Sequence, residues 1–458
     1  MKKAILMVIA LSIYLIFIPG YTAIAIEMKA LAALVIIQIL WIGRVFPLAH
    51  SSIILMLILS FHFFSYEETL SYISSDIVWL LFSTFIISHS FINTGLASRV
   101  SLAVLKMSGG SSRGLIFISY VLMFLLSLMI PSNVGKASLV ASVFDNLLKN
   151  LKKVADVQNL GKSLFIGVAY ITPISGAIVA TGASSTIYTF GILTDIMPGL
   201  NYMNWLLYFA PPTIIFALLL WIISISIFPP EKIERDDLVQ ILTDKSKEMG
   251  KLSLPEKKIL VILGVTLVLW STQQFHDISI PLTGLLGATL TIMPKIGVWT
   301  WEEAKETIDW DMVLFFAATI MVAGMLVQTG TIEMISDYLI HAVPLDKPLI
   351  VLLLLICLTA VVRLIFVNVL GLLTIVLPLS VTVGQSLTGL SPGLVPMAVF
   401  LAGIPGFLFI TQSPVHLIAY SYQYFTERDL LRIGSYSMFV WIFLLILTAS
   451  IYWQMLMG

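Results

Sequence analysis

Two short polar stretches stand inside otherwise apolar sequence, Pro131-Ser132-Asn133-Val134-Gly135-Lys136 and Val367-Asn368-Val369. The hydroxyl of Ser132 and the amides of Asn133 and Asn368 can donate to a carboxylate or sulfate, and their oxygens can ligate a small cation. In hydrocarbon such groups are costly unless ligand, water or protein satisfies them. Where a helix restarts at such a turn, its free amides and dipole favour an anion. Polar breaks of a second kind, Thr181-Gly182-Ala183-Ser184-Ser185 and Thr411-Gln412-Ser413-Pro414, interrupt long apolar runs. The proline frees a backbone carbonyl, a group able to bind Na⁺. Lys136 follows Asn133 by three residues and Arg363 precedes Asn368 by five. Charges so placed are rare and by default functional. His89 and His416 offer protonation sites for H⁺ coupling, or neutral hydrogen-bonded rings. No His/Asp/Glu or Ser/Lys constellation lies at catalytic spacing and there is no Walker motif, so no enzyme is expected and energy must come from gradients.

The elements that carry these residues are membrane helices. Of the 458 residues, 59% are hydrophobic and 11% charged, a balance foreign to soluble surfaces. Basic and acidic residues are equal in number, and nothing suggests nucleic acid as a partner. The single cysteine, Cys357, rules out an intrachain disulfide framework and any multi-cysteine metal site. Residues 4–26 read as a retained first helix, although Ala23-Ile24-Ala25 faintly resembles a signal-peptidase site. Further spans are expected at 28–46, 47–65, 76–94, 162–193, 202–228, 257–274, 279–296, 311–329, 394–424 and 429–456, eleven in all. The polar stretch 229–256 is expected to be a cytoplasmic linker. The apolar blocks 112–151 and 347–388 exceed one span and have polar or proline-marked centres, which favours re-entrant hairpins over full crossings. The positive-inside rule then puts the N-terminus in the cytoplasm and the C-terminus outside.

The chain repeats itself. Phe64-Ser65-Tyr66-Glu67-Glu68 resembles Trp299-Thr300-Trp301-Glu302-Glu303, and the same offset of 235 residues pairs Asp76 with Asp311, Thr94-Gly95 with Thr329-Gly330 and Asn133-Val134 with Asn368-Val369. Five spans per repeat, an odd number, turn the second half upside down, the signature of alternating-access secondary transporters with a midplane site. The expected organisation is a first helix (1–27), repeat 1 (28–228), the linker (229–256) and repeat 2 (257–458). Before each hairpin an amphipathic segment reads as an interfacial arm helix: Leu96, Val100, Val104 and Met107 oppose Arg99 and Lys106, and Ile332, Ile335 and Leu339 oppose Glu333, Asp337 and His341.

At these residues the chain resembles the divalent anion/sodium symporter family, the carriers of dicarboxylates, citrate and sulfate, over nearly its whole length. That family carries Ser-Asn-Thr at both tips and Thr-Pro-Pro-Asn-like turns in both broken helices. Here the tips read Ser132-Asn133-Val134 and Val367-Asn368-Val369, and the turns Ala183-Ser184-Ser185-Thr186 and Ser413-Pro414-Val415-His416. The resemblance implies that Ser132 and Asn133 serve both substrate and a first Na⁺ with the backbone near Gly182, and that Asn368 and the backbone near Gln412 form the second set. The expected substrate-binding residues are Ser132, Asn133, Val134, Lys136, Thr186, Asn368, Val369, Ser413, Pro414 and His416. The expected cation-binding or charge-substituting residues are Ser132, Asn133, Gly182, Ala183, Arg363, Asn368 and Gln412. Val134, Val367 and Val369 lack hydroxyls that the family pattern supplies. Arg363 is therefore expected to stand in for the second Na⁺ as a fixed charge, with Lys136 adding to anion attraction.

The expected fold is thus an all-α polytopic membrane protein with eleven transmembrane helices in two inverted five-helix repeats plus an extra first helix, two re-entrant hairpins and two broken helices. The expected function is secondary active transport of small anions, di- or tricarboxylate or sulfate-like, coupled to an ion gradient. The alternatives are an anion exchanger without Na⁺ coupling and a cation/proton antiporter of the same superfamily. The latter wants an acidic residue at the site, and Asp145 lies toward the cytoplasmic end. Apart from Na⁺ or H⁺ no cofactor is expected, and the resemblance implies a homodimer in the plasma (inner) membrane.

Overall fold

Backbone groups in hydrocarbon must find partners within the protein, and this chain meets that demand with helices. The computed structural model describes residues 2–20, 23–342, 347–387 and 389–457, with backbone alone over 339–342, and among the described residues there is no strand. The first half runs α1 (Lys2–Phe17), α2 (Ile26–Ile42), α3 (Leu48–His62), α4 (Tyr66–Ser71), α5 (Asp76–Asn93), α6 (Leu96–Lys106), α7 (Ser112–Ser127), α8 (Asn133–Leu151), α9 (Gln158–Ser175), α10 (Ser184–Ile196) and α11 (Tyr202–Ile227). After α12 (Arg235–Glu248) the second half runs α13 (Leu254–Ser271), α14 (Gln273–His276), α15 (Ile280–Ile292), α16 (Trp301–Glu306), α17 (Trp310–Gln328), α18 (Thr331–Ala342), α19 (Pro348–Val362), α20 (Val369–Ser386) and α21 (Leu394–Gly403). A 3₁₀ turn (Ile410–Gln412), α22 (Pro414–Ser421), α23 (Glu427–Leu447), a π turn (Thr448–Tyr452) and α24 (Trp453–Met457) complete it.

Among the described residues, five helical stretches are long and apolar enough to cross a membrane: Tyr66–Asn93, Tyr202–Ile227, Trp310–Gln328, Val369–Ser386 and Glu427–Met457. Several expected spans come out shorter. The one at 279–296 is the 13-residue α15, because Ser279 caps its start and Pro294 forces Met293 into an extended conformation at its end.

Helix breaks fall at the polar stretches. Pro131 separates α7 from α8, Gly176 to Ala183 separate α9 from α10, and Pro405 lies in the break after α21. Packing then crosses between the halves: α8 lies against α9 and α22, while α20 lies against α21 and α10. In the same way α5 packs on α15 and α3 on α17. Gly95 and Gly330, 235 residues apart, both take left-handed backbone, at φ +85° and +71°, and start α6 and α18.

One expectation needs correction here. Met107, assigned to the apolar face of the first arm helix, lies beyond the end of α6 and is 72% exposed, whereas Leu96 and Val104 are buried. On α18, Ile332 is buried and Glu333 exposed, and the side chains of Leu339 and His341 lie outside the described residues. The stretch 229–256 contains α12. Asp236 and Asp237 in the first turn and Lys245 and Lys247 in the last suit the dipole of α12, which packs against α6 and α8.

Arg99 of α6 locks that linker in place. Its guanidinium donates to the Glu256 carboxylate at 2.7 and 3.2 Å and to the carbonyls of Gly250 and Met249 at 2.9 and 3.0 Å. These bonds hold the Glu256 carboxyl, just before the apolar part of α13, down to about 2 against the opposing effect of burial. Because this is below the ordinary 4.5, the contact's stability is fully present above that value and is lost as pH falls toward about 2. Glu256→Gln should remove about 2 kcal/mol of local stability. Faster tryptic cleavage at Lys245 and Lys247, with wild-type protection retained at neutral and mildly acidic pH, is the expected readout.

Candidate functional site

The two tips are built by capping. Ser132 Oγ accepts from the Gly135 amide at 3.1 Å and starts α8; Asn368 Oδ1 accepts from the Leu370 amide at 2.9 Å and starts α20. The broken helices restart similarly: Ser413 Oγ accepts from the Val415 amide at 3.2 Å ahead of Pro414, and α10 begins at Ser184 after the extended Ala183. Asn133, at the first position of α8, keeps a buried Oδ1 without a partner.

These four helix starts meet around one cavity of about 320 Å³, a volume suited to a small organic anion. Ser132, Asn133 and Val134 line it from α8, Ser184 and Ser185 from α10, Asn368 and Val369 from α20, and Ser413 and Pro414 from α22. The wall carries no lysine or arginine; its titratable side chains are His89 and Asp309, the latter accepting from the Met312 amide at 2.9 Å to cap α17. Positive potential in the wall therefore comes from backbone. Each helix start carries about half a unit of positive charge beyond what its cap takes up, and four converge. A second chamber of about 480 Å³ meets this one at Met312, Val367, Asn368 and Pro414 and reaches Lys3 and Arg44.

The other expected site residues stand behind the wall. Thr186 is buried and donates to the Gly176 carbonyl at 2.8 Å. His416 is buried too, with Nδ1 3.0 Å from the Phe409 carbonyl, so that nitrogen carries the proton. Gln412 Oε1 accepts from the Leu408 and Phe409 amides, both at 2.8 Å, which ties the second break together. Lys136, expected among the anion contacts, is fully buried: its Nζ donates to Ser127 Oγ at 2.6 Å and to the Gly182 carbonyl at 3.2 Å. Among the described residues no carboxylate pairs with it. Arg363, expected to face the second tip, turns away into a separate small cavity between Phe407, Gln412 and Trp441 and donates to the Phe366 carbonyl. Its place as the C-cap of α19, before the turn to Asn368, sends the side chain back along the hairpin.

Sequence reasoning missed Ser127 and Ser175, the bonded pair that receives Lys136, since single serines in an apolar helix are commonplace. It also missed Asp309 and Met312, although an acidic residue opening a long apolar run was a usable signal. A cross-brace between the halves was invisible as well: Tyr170 Oη lies 2.8 Å from both the Phe407 and Leu430 carbonyls.

Comparison with known proteins sets this geometry in context. The chain is 24% to 27% identical to several carriers, among them the malate-transporter candidate YflS of Bacillus subtilis (strain 168), 27% over 60% of this chain and 58% of that one. Dicarboxylate transporter 1, chloroplastic, of Spinacia oleracea is 26% identical over 61% of this chain and 50% of its own length. The citrate/succinate antiporter of Escherichia coli (strain K12) is 22% identical over 82% of this chain and 78% of its own. The matched region thus spans about half the length of the first two. A solved structure of the Alcanivorax borkumensis YdaH transporter aligns with 82% of this chain and 83% of its own at TM-score 0.48 and 13% identity. The sequence profile described as "Sodium:sulfate symporter transmembrane region" matches residues 1–458 from end to end. This all-helical membrane chain belongs to the sodium:sulfate symporter family.

Proposed function

We propose that the protein is a secondary carrier of small dianionic or trianionic carboxylates that works without Na⁺, exchanging one anion for another. The observation that carries this reading is the convergence of four helix starts, with the positive ends of their dipoles, on one cavity. The second support is Lys136. Its ammonium already takes the Gly182 carbonyl, which the family pattern offers to the first Na⁺. A tethered cation there supplies charge that a dissociable ion supplies elsewhere. The names of the relatives favour malate, other dicarboxylates, citrate or succinate as cargo.

In this reading residues 28–228 and 257–458 form two inverted repeats after the first helix, with the linker 229–256 in the cytoplasm and eleven crossings of the plasma membrane. The paired packing of α5 on α15 and α3 on α17 supports the repeat. The carrier is non-enzymatic and works as a homodimer, the hairpins and broken helices moving between two sides of the membrane. Ser132, Asn133, Asn368 and Ser413 touch the cargo, while Val134, Val369 and Pro414 shape the wall.

Counterflow tests this. Proteoliposomes loaded with unlabelled succinate should accumulate labelled succinate or malate at the same rate in Na⁺ and in choline, and citrate or sulfate on the outside should reveal the specificity by competition. A steep multi-ion Na⁺ dependence sinks the exchanger reading.

A further inference from the structure

Arg363 is an unusual residue to leave alone. It is 1% exposed, and both Nε and Nη2 are buried with no hydrogen-bond partner, while Nη1 donates to the Phe366 carbonyl. Among the described residues no carboxylate pairs with it. A guanidinium stays charged when buried, so relief by deprotonation is not open to it, and an uncompensated buried charge is among the most unfavourable features a fold can carry.

The cavity it lines is distinct from the cargo cavity. It lies between the hairpin arm α19, the second break and α23, with Phe407, Gln412 and Trp441 among its walls, and contains no acidic residue. Its volume of about 20 Å³ exceeds the roughly 10–15 Å³ that a single water needs. A carboxylate substrate does not fit. The Trp441 indole N–H is already committed to the Leu401 carbonyl at 3.1 Å, and the Gln412 amide N–H reaches the Arg363 carbonyl only at 3.4 Å. The open donors are therefore those of one cation and the second N–H of Gln412, in a space for one small particle.

We propose that Arg363 binds a single halide-sized monovalent anion, chloride in the cell, as a structural counter-ion between the second hairpin and the second broken helix. Monatomic size and negative charge are what the space and the two unpartnered guanidinium nitrogens select. The anion neutralises Arg363 and leaves Lys136 as the tethered cation nearest the cargo. The site stands independently of which carboxylate the carrier takes.

Thermal unfolding of the full chain in detergent, at constant ionic strength, tests it. Replacing gluconate by chloride should raise the midpoint by roughly 3 °C in a saturable way, and bromide should substitute for chloride. The shift should persist with the cargo cavity saturated by succinate, which separates it from halide competing at that cavity. Arg363→Met should abolish the halide shift while still responding to succinate. Should that variant not fold, a bromide anomalous peak beside Arg363 in crystals of the wild type decides the same point. Equal midpoints in gluconate and chloride, a shift that Arg363→Met retains, or no bromide at the site would overturn the proposal, leaving a water in the cavity.

Discussion

Lys136→Met should reduce exchange by roughly 10²-fold or more while leaving the unfolding midpoint unchanged or raised. Lys136 lies one turn into α8 from Asn133, about 5 Å along the helix axis, and a charge separation on the order of 8 Å from an anion at the tip is taken for the arithmetic. At an effective dielectric constant of 20 this separation is worth about 2 kcal/mol for each charge on the cargo. A dianion gains about twice that, an upper bound on the order of 10³-fold in affinity. Stability moves the other way, since an unpaired buried ion replaced by an apolar side chain of similar volume is often neutral or stabilising by about 1–4 kcal/mol. A purely structural lysine would show the reverse, a lower midpoint with transport lost only in proportion to folded protein.

Lys136→Ala sharpens the distinction. It removes the same charge but leaves a space bounded by Ser127 Oγ and the Gly182 carbonyl, which are oxygen ligands. Transport by this variant should be low in choline and partly restored by Na⁺, because a small hard cation can enter where the ammonium stood. Methionine fills that space and admits no such rescue. If the alanine variant is indifferent to Na⁺ and transports like the wild type, Lys136 does not serve as a tethered cation.

The sequence disclosed architecture more readily than orientation. Helix breaks were legible where proline or glycine falls among small polar residues, at Pro131, Gly182 and Pro414, whereas Pro173, Pro211, Pro212 and Pro378, in apolar surroundings, lie inside helices. The residues at the tips were legible too, because Ser132 and Asn368 are capping residues at positions where a helix restarts. Long side chains were harder. Whether Lys136 or Arg363 points toward the cavity depends on a few torsions and on partners nine or more residues away in the chain, such as Ser127 and Gly182 for the lysine. The asparagines and serines do not face that ambiguity, being too short to leave their own turn. Tertiary partners with no local signal, such as Tyr170 against the carbonyls of Phe407 and Leu430, could be found only in the folded chain.

Gly182→Ala should abolish exchange and lower the unfolding midpoint, although it adds a single methyl group. A Cβ at Gly182 would stand 2.4 Å from the Gly176 carbonyl oxygen and 3.1 Å from its carbon. Both are backbone, so no side chain can swing aside, and Gly176 is itself held by the 2.8 Å bond from Thr186 Oγ1. Relief requires the two strands of the first break to part, at an overpacking cost of about 1–3 kcal/mol. Parting them also carries the Gly182 carbonyl away from Lys136 Nζ and disturbs the approach to Ser184 and Ser185 in the cavity wall. Gly371→Ala is the control: it sits in α20, which borders the second chamber, yet a Cβ there meets nothing within 4 Å and should improve helix propensity by about 1 kcal/mol. Midpoints and counterflow on the two variants separate steric demand at the break from a general intolerance of alanine. If Gly182→Ala transports normally while Lys136→Met does not, the ammonium acts on the cargo through its charge alone and its bond to the Gly182 carbonyl is dispensable.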